Sequence, residues 1–322
     1  MKVGLLGAGS IAGVMAETLN RMDTATCYAV ASRTLAIAQM FAQKFGCEKA
    51  YGSYEELAND PNVDLVYIAT PHSVHMAHAR LCIEHGKPVL CEKAFTANAQ
   101  QAQEVLTLAK EKGVFITEAI WTRYMPFLQT IRGVLASSVI GRPVLLTANL
   151  GYAISGVPRL QDPNLAGGAL LDVGVYTLHF AFMLFGNAVE DISSYCTYTA
   201  TGVDEQNSIT LKFKNGALAV LNSSMLSVSD RKGIVQGTKG FLCVENINNF
   251  ESLAVYNEES RKIAEYQRPQ QISGYEYEVE ACRKALENGA LECAEIPHED
   301  TLFVMQIMDK LRAQWGIRYP FE

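Results

Sequence analysis

The chain has 322 residues, enough for two domains at about 150 residues each. With 49% hydrophobic and 19% charged residues it has the composition of an ordinary globular protein that buries a core, unlike a disordered or fibrous chain. Thirty-four Asp and Glu against 27 Lys and Arg leave a net charge of −7, so no positive field draws in nucleic acid or an anionic membrane. The eight cysteines form no C-x-x-C pair and sit mostly in apolar stretches, which predicts buried free thiols in a reducing, cytoplasmic setting.

From residue 1 to about 120, apolar runs at 3–6, 27–31, 65–69, 89–91 and 114–116 alternate with helical stretches at 11–22, 36–45, 74–84 and 99–112. That rhythm predicts βαβ units around a doubly wound parallel sheet, with Gly86 and Gly113 placed to end two of the helices. Gly7 and Gly9 interrupt the apolar start, so it reads as strand and turn rather than as a secretory leader.

Beyond Trp121 the texture changes. A helix opens at Pro126 and runs to about 136; strands follow at 144–151, 192–198, 208–214, 217–224, 234–236 and 241–244, and helices at 168–185, 275–287 and 301–315. Alternating segments on either side of Asn215-Gly216 predict an antiparallel hairpin. The predicted architecture is α/β: a dinucleotide-binding domain over 1–120, then an α+β domain over 121–322 with a mostly antiparallel open sheet and helices on one face. The stretch 167–189 is apolar enough for a membrane, yet it contains Asp172 and His179, and a buried core helix accounts for it better.

Gly7-Ala8-Gly9-Ser10-Ile11-Ala12 follows the first strand and opens the first helix. Gly7 makes the tight turn, Gly9 lets backbone approach a pyrophosphate, and Ala12 permits close packing of helix on strand. Ser10 and Ile11 begin the helix, whose free N–H groups face the anion. At the end of the second strand Ser32 and Arg33 stand where an NAD site carries an acid for the ribose hydroxyls. A guanidinium there pairs with a 2'-phosphate, so the sequence prefers NADP, with NAD possible; a solvated surface Arg33 is the alternative.

Thr70-Pro71-His72-Ser73-Val74-His75 lies at the carboxyl edge of the sheet and reads as a cofactor-facing loop. Steps of three from His72 through His75 to His78 drift around a helix with no cysteine or carboxylate cluster beside them, so no metal site is predicted. Glu92 and Lys93 end the next strand at the same edge. A lysine beside a nicotinamide sheds hydration and exchanges protons; a surface lysine paired with Glu92 is the other reading. In the second half Asp172, Tyr176 and His179 follow one another at spacings of four and three. On a helix they form one polar stripe, which either closes hydrogen bonds inside the core or faces a cleft and a ligand.

Taken together, Gly7-x-Gly9-x-x-Ala12, Thr70-Pro71-His72-x-x-His75, Glu92-Lys93 and Gly167-Gly168 with Asp172-x-Gly174-x-Tyr176 resemble the glucose-fructose oxidoreductase, inositol dehydrogenase and rhizopine-catabolism (Gfo/Idh/MocA) family over nearly the whole chain. Residues 50–57, 118–123 and 237–240 look most like its branch of dimeric dihydrodiol dehydrogenases and NADP-dependent D-xylose dehydrogenases. The resemblance implies a Rossmann domain followed by an α/β domain whose open sheet serves as a homodimer or higher homo-oligomer interface. It also implies a sugar, polyol or cyclic diol substrate held between the domains. Family roles fall on Lys93, on Tyr176 where many relatives have His, and on Asp172 as positioner of the substrate hydroxyl, with Trp121, Arg123 and His179 near the substrate. Two departures stand out: Ala94 replaces the usual proline after the lysine, and His72 stands where asparagine is common.

The expected reaction is reversible hydride transfer between NADP(H) and a secondary alcohol or carbonyl, the hydroxyl proton passing to Tyr176 beside the Lys93 ammonium or to Lys93 itself. The competing expectation is a non-catalytic NADP(H)-binding sensor or regulatory protein that keeps the cleft.

Overall fold

The apolar runs of the first third become strands of one parallel sheet in the computed structural model, which describes residues 1–322. The chain divides into two units. The first comprises Met1–Tyr124 and Gln271–Met305, the second Met125–Gln270 and Gln306–Glu322.

In the first unit the elements run β1 (Lys2–Leu6), α1 (Ser10–Leu19), β2 (Thr26–Ala31), α2 (Leu35–Phe45), β3 (Lys49–Tyr51), α3 (Tyr54–Asn59), β4 (Leu65–Ile68), α4 (His75–Glu84), β5 (Val89–Glu92), α5 (Ala99–Lys112) and β6 (Ile116–Ala119). The strand order β3-β2-β1-β4-β5-β6 is parallel throughout. This is the doubly wound Rossmann order, whose direction reverses between β1 and β4 and leaves a crevice at their carboxyl ends. Leu65, Val66, Tyr67 and Ile68 of β4 are all fully buried, which is why central strands read as unbroken apolar runs. Gly113 caps α5 in the left-handed region and Gly86 follows α4 at φ 69°, as the helix-ending glycines predict. The expected strand at 114–116 sits further along, at Ile116–Ala119. The short pair β3 and α3 was not among the predicted elements, although Ser53 and Glu56 form a capping box at the start of α3.

The second unit continues with α6 (Phe127–Ala136), β7 (Pro143–Gly151), a π turn at Leu170–Gly174, α7 (Val175–Phe185), β8 (Val189–Tyr198), β9 (Asp204–Phe213), β10 (Leu218–Ser224), β11 (Gly233–Gly237), β12 (Gly240–Glu245), β13 (Ser252–Asn257) and β14 (Lys262–Gln267). Its eight-stranded sheet has the order β14-β13-β12-β11-β7-β10-β9-β8, antiparallel except for β7 beside β10. The Asn215-Gly216 turn does join β9 to β10, with Gly216 at φ 84°. Along β9, Ile209, Leu211 and Phe213 point inward, and α7 packs over β7 and β10. The segment Pro163–Phe185 is apolar enough to cross a membrane, but its most apolar window is 89% buried within the protein. It is a core segment.

Two helices complete the chain: α8 (Glu276–Glu287), in the first unit, and α9 (His298–Trp315), whose beginning belongs to the first unit and whose remainder belongs to the second.

Candidate active site

The loop between β1 and α1 is shaped by two glycines. Gly7 has φ 113°, and a Cβ on it would lie 2.8 Å from the Ala69 carbonyl oxygen, so the turn needs glycine. Gly9 is the N-cap of α1, and nothing lies within 4 Å of where its side chain would be. No side chain caps α1 and no acid stands in its first turn, so its first N–H groups are available to an anion. Ala12 is fully buried against the sheet, Ile11 is half-buried and Ser10 is exposed. This open, uncapped glycine cradle fits the pyrophosphate of a dinucleotide.

Ser32 is buried at the end of β2, while Arg33 is exposed. The charge of Arg33 acts on Tyr54 and His78, whose rings meet edge-on at 4.6 Å. Burial, aided by His75 and Arg33, holds His78 down at about 4, so it is neutral near pH 7. Its Nδ1 lies 2.9 Å from Thr70 Oγ1. Arg33 thus acts electrostatically on this neutral ring pair.

After β4, Pro71 precedes a short 3-10 turn at His72–Val74 that leads into α4. His72 is buried, and His75 has no exposure at all. The His75 ring nitrogens lie 3.0 Å from the Ala94 carbonyl and 2.7 Å from the Thr70 carbonyl, and burial lowers its pKa. His75 therefore ties the loop after β4 to the segment after β5, its ring committed to backbone. The three histidines form no cluster with metal-ligand geometry.

Lys93, half-buried, follows β5. The Tyr67 phenol donates to one oxygen of the buried Glu92 carboxylate, and the Lys93 backbone N–H lies 3.2 Å from the other. The peptide bond between Lys93 and Ala94 is cis. Both oxygens of Glu92 are thereby engaged from opposite ends of its carboxylate, which fixes the strand end that presents Lys93.

Two acids that the sequence reading missed lie behind this edge. Glu118, on β6, accepts from Thr301 Oγ1 at 3.0 Å. Burial pushes it up to about 7 against the opposing influence of Thr301 and Arg123. Glu278, on α8, is wholly buried with no hydrogen-bond partner for either oxygen; burial and the nearby Glu92 charge raise it well above the usual carboxylate range. Their signals were an acid inside the apolar run 114–120, and Glu278 lying among the buried residues of its helix with Val279 and Cys282. Arg123 is buried, its Nη1 2.7 Å from Asp300 Oδ2, and Trp121 stacks on Tyr275 with centroids 4.2 Å apart.

In the second unit, the Gly167-Gly168 pair is dictated by crowding. A Cβ on Gly167 would lie 2.5 Å from the Leu160 carbonyl oxygen, and one on Gly168, at φ 118°, would lie 2.3 Å from Asp204 Oδ1. Asp204 in turn accepts from the Leu170 N–H at 2.7 Å and from Asn207 at 3.0 Å, anchoring the start of the following turn. The expected continuous helix over 168–185 is split: Leu170–Gly174 is wound as a π turn before α7 begins. Asp172 therefore lies in the π turn, and only Tyr176 and His179 share the regular helix. Asp172 and Tyr176 each keep 8% exposure, whereas His179 has none.

Residues 1–119 match the family described as "Oxidoreductase family, NAD-binding Rossmann fold", and residues 128–243 match the "GFO/IDH/MocA C-terminal domain". The chain belongs to the Gfo/Idh/MocA oxidoreductase family. Within that family it is 36% identical to the trans-1,2-dihydrobenzene-1,2-diol dehydrogenase of Xenopus tropicalis over 99% of both chains. It is also 36% identical to the enzyme of that name from Mus musculus, over 99% of this chain and 98% of the mouse protein. Among solved structures, the 3-ketoreductase KijD10 of Actinomadura kijaniata, in complex with NADP and TDP-benzene, superposes with a TM-score of 0.88 at 23% identity, covering 97% of each chain. That likeness bears on the fold alone. The first unit is thus the NAD(P)-binding Rossmann domain of a Gfo/Idh/MocA protein.

Proposed function

We propose that this chain is an NADP-dependent dehydrogenase that interconverts a secondary alcohol and its carbonyl in a cyclic diol, a polyol or a sugar. One observation carries the reading: relatives 36% identical along 99% of the chain are named trans-1,2-dihydrobenzene-1,2-diol dehydrogenases. The chemistry of its own residues agrees.

When bound, the nicotinamide accepts the hydride from the carbinol carbon or returns it. The N–H groups at the start of α1 hold the pyrophosphate. Arg33 reads the adenosine 2'-phosphate, because a guanidinium pairs with a phosphate bidentately and no acid stands at the end of β2. Asp172 orients the substrate hydroxyl. The hydroxyl proton goes to the phenolate oxygen of Tyr176 or to Lys93 Nζ as the free amine while the carbon–hydrogen bond breaks, so one hydride and one proton leave together and the carbonyl forms. Aromatic faces of Trp121 and Tyr275 suit either a sugar ring or a dihydrodiol ring.

The test is an NADPH-absorbance screen of cyclic diols, inositols, aldoses and dicarbonyls with NADP and with NAD. Turnover of at least one vicinal diol or sugar with NADP preferred supports the reading. A clear preference for NAD removes the role given to Arg33, and tight NADPH binding without turnover across the panel removes the enzyme and leaves a sensor.

A further inference from the structure

The sulfur atoms of Cys27 and Cys47 lie 2.7 Å apart, and the fold of the first unit puts them there. β2 and β3 run parallel with Ala29 opposite Lys49. Just before that pair, Cys27 lies on β2 and Cys47 in the short turn between α2 and β3, and their sulfurs meet there. α2 ends at Gly46, in the left-handed region at φ 75°. The N–H groups of Gly46 and Cys47 both donate to the Ala42 carbonyl, at 2.8 and 3.1 Å. A helix cap therefore fixes Cys47, where a loose loop would not.

The two thiols differ in the way an attacking and a resolving cysteine differ. Cys27 is 5% exposed, on a strand, while Cys47 is half-buried and reachable from solvent. The hydrogen bond from Cys27 lowers the Cys47 thiol; the same contact, with burial, raises Cys27. A second pair, Cys282 and Cys293, also lies in hydrogen-bond reach, but both of its members are buried without access to an oxidant.

We propose that Cys27 and Cys47 form a reversible disulfide, a modification site that takes a two-electron oxidant of the peroxide class. The Cys47 thiolate attacks a peroxide oxygen, the O–O bond breaks, and the leaving hydroxide takes up the proton that Cys47 gave up and departs as water. Cys27 sulfur then attacks the sulfenic sulfur, forming the S–S bond and releasing the hydroxyl with the Cys27 proton as a second water. One peroxide is reduced and two thiols are oxidised. The sulfurs close from 2.7 Å to about 2.05 Å. The bridge spans a sequence separation of 20 residues and encloses most of β2, Ser32, Arg33 and α2, so it limits the freedom of that segment in the unfolded chain.

The experiment uses the full-length protein, fully reduced and then exposed to equimolar hydrogen peroxide, alkylated and digested with trypsin. The expected product links peptides 22–33 and 45–49 with a loss of two hydrogens, reversibly by dithiothreitol. The free-thiol count falls by two from eight, with Cys282 and Cys293 still alkylated. The oxidised form melts several degrees higher, and Cys47→Ser folds and turns over normally but shows neither the link nor the peroxide-dependent shift. The proposal is overturned if both Cys27 and Cys47 are recovered alkylated after peroxide, if Cys47 accumulates as an oxyacid beside an alkylatable Cys27, or if Cys47→Ser keeps the melting shift.

Discussion

The Arg159 guanidinium donates to Asp172 Oδ1 at 3.0 Å, the arginine side chain 47% exposed and the carboxylate almost covered. The group proposed to orient the substrate is thus held in part from the solvent side. Arg159→Ala removes one positive neighbour from a largely buried carboxylate. Because the partner is half-exposed, the expected cost is about 1 kcal/mol or less, a loss of roughly three- to fivefold in kcat/KM. A variant whose kcat/KM equals that of the parent separates Arg159 from the chemistry.

Lys93→Met and Tyr176→Phe each remove one candidate for the proton. The better acceptor, once lost, lowers kcat on the order of 10²- to 10⁴-fold, while NADPH affinity measured by fluorescence quenching changes little for Tyr176→Phe. The variant with the larger loss identifies the acceptor. Near-parental turnover in both would falsify the assignment.

Arg33→Ala leaves the pyrophosphate cradle at Gly7 and Gly9 intact and takes away the cation at the end of β2. The loss of a charge-assisted pair, about 1.5–3 kcal/mol, raises KM for NADP roughly ten- to hundredfold and leaves KM for NAD nearly unchanged. Equal effects on the two cofactors would show that Arg33 does not read the 2'-phosphate.

Gly168→Ala introduces a Cβ 2.3 Å from Asp204 Oδ1 at a backbone φ of 118°. Asp204 yields little, since it holds the Leu170 N–H and Asn207. Destabilisation of about 2–3 kcal/mol follows, seen as a lower urea midpoint with an unchanged slope. A midpoint within error of the parent would mean that the turn relaxes without cost.

Glu118, pushed up to about 7 by burial, keeps a proton in the folded protein that the unfolded chain releases near 4.5. Its contribution is therefore complete below that value and is lost as pH rises through 7, by no more than about 3.5 kcal/mol. Asp204, raised by burial to about 6, acts in the same direction. Glu118→Gln keeps an acceptor for Thr301 but cannot ionise, so its urea midpoint declines less than the parent's between about pH 5 and about pH 8. Parallel declines would place the proton elsewhere.

The central strands were legible because they are buried on both faces, and the glycine cradle because Gly7 and Gly9 answer to local geometry. β3 has three residues, too few to show a period. β14 is exposed along most of its length, so its residues carry no burial pattern to read. The π turn at Leu170–Gly174 shifts a hydrogen-bond register without altering the apolar composition, and a helical period cannot reveal it. Glu118, Glu278 and Asp204 owe their character to what surrounds them: Thr301 and Arg123 for the first, Glu92 for the second, Asn207 and Leu170 for the third. Thr301, Glu92 and Leu170 are distant in sequence from the acids they meet, and only folding assembles them.

The return of Gln271–Met305 to the first unit has a consequence for biosynthesis. Thr301 and Asp300, partners of Glu118 and Arg123, are made only after the whole intervening stretch Met125–Gln270 of the second unit. The nascent Rossmann sheet therefore gains these two contacts only after that inserted stretch has left the ribosome, so its final closure follows the synthesis of the insertion rather than preceding it.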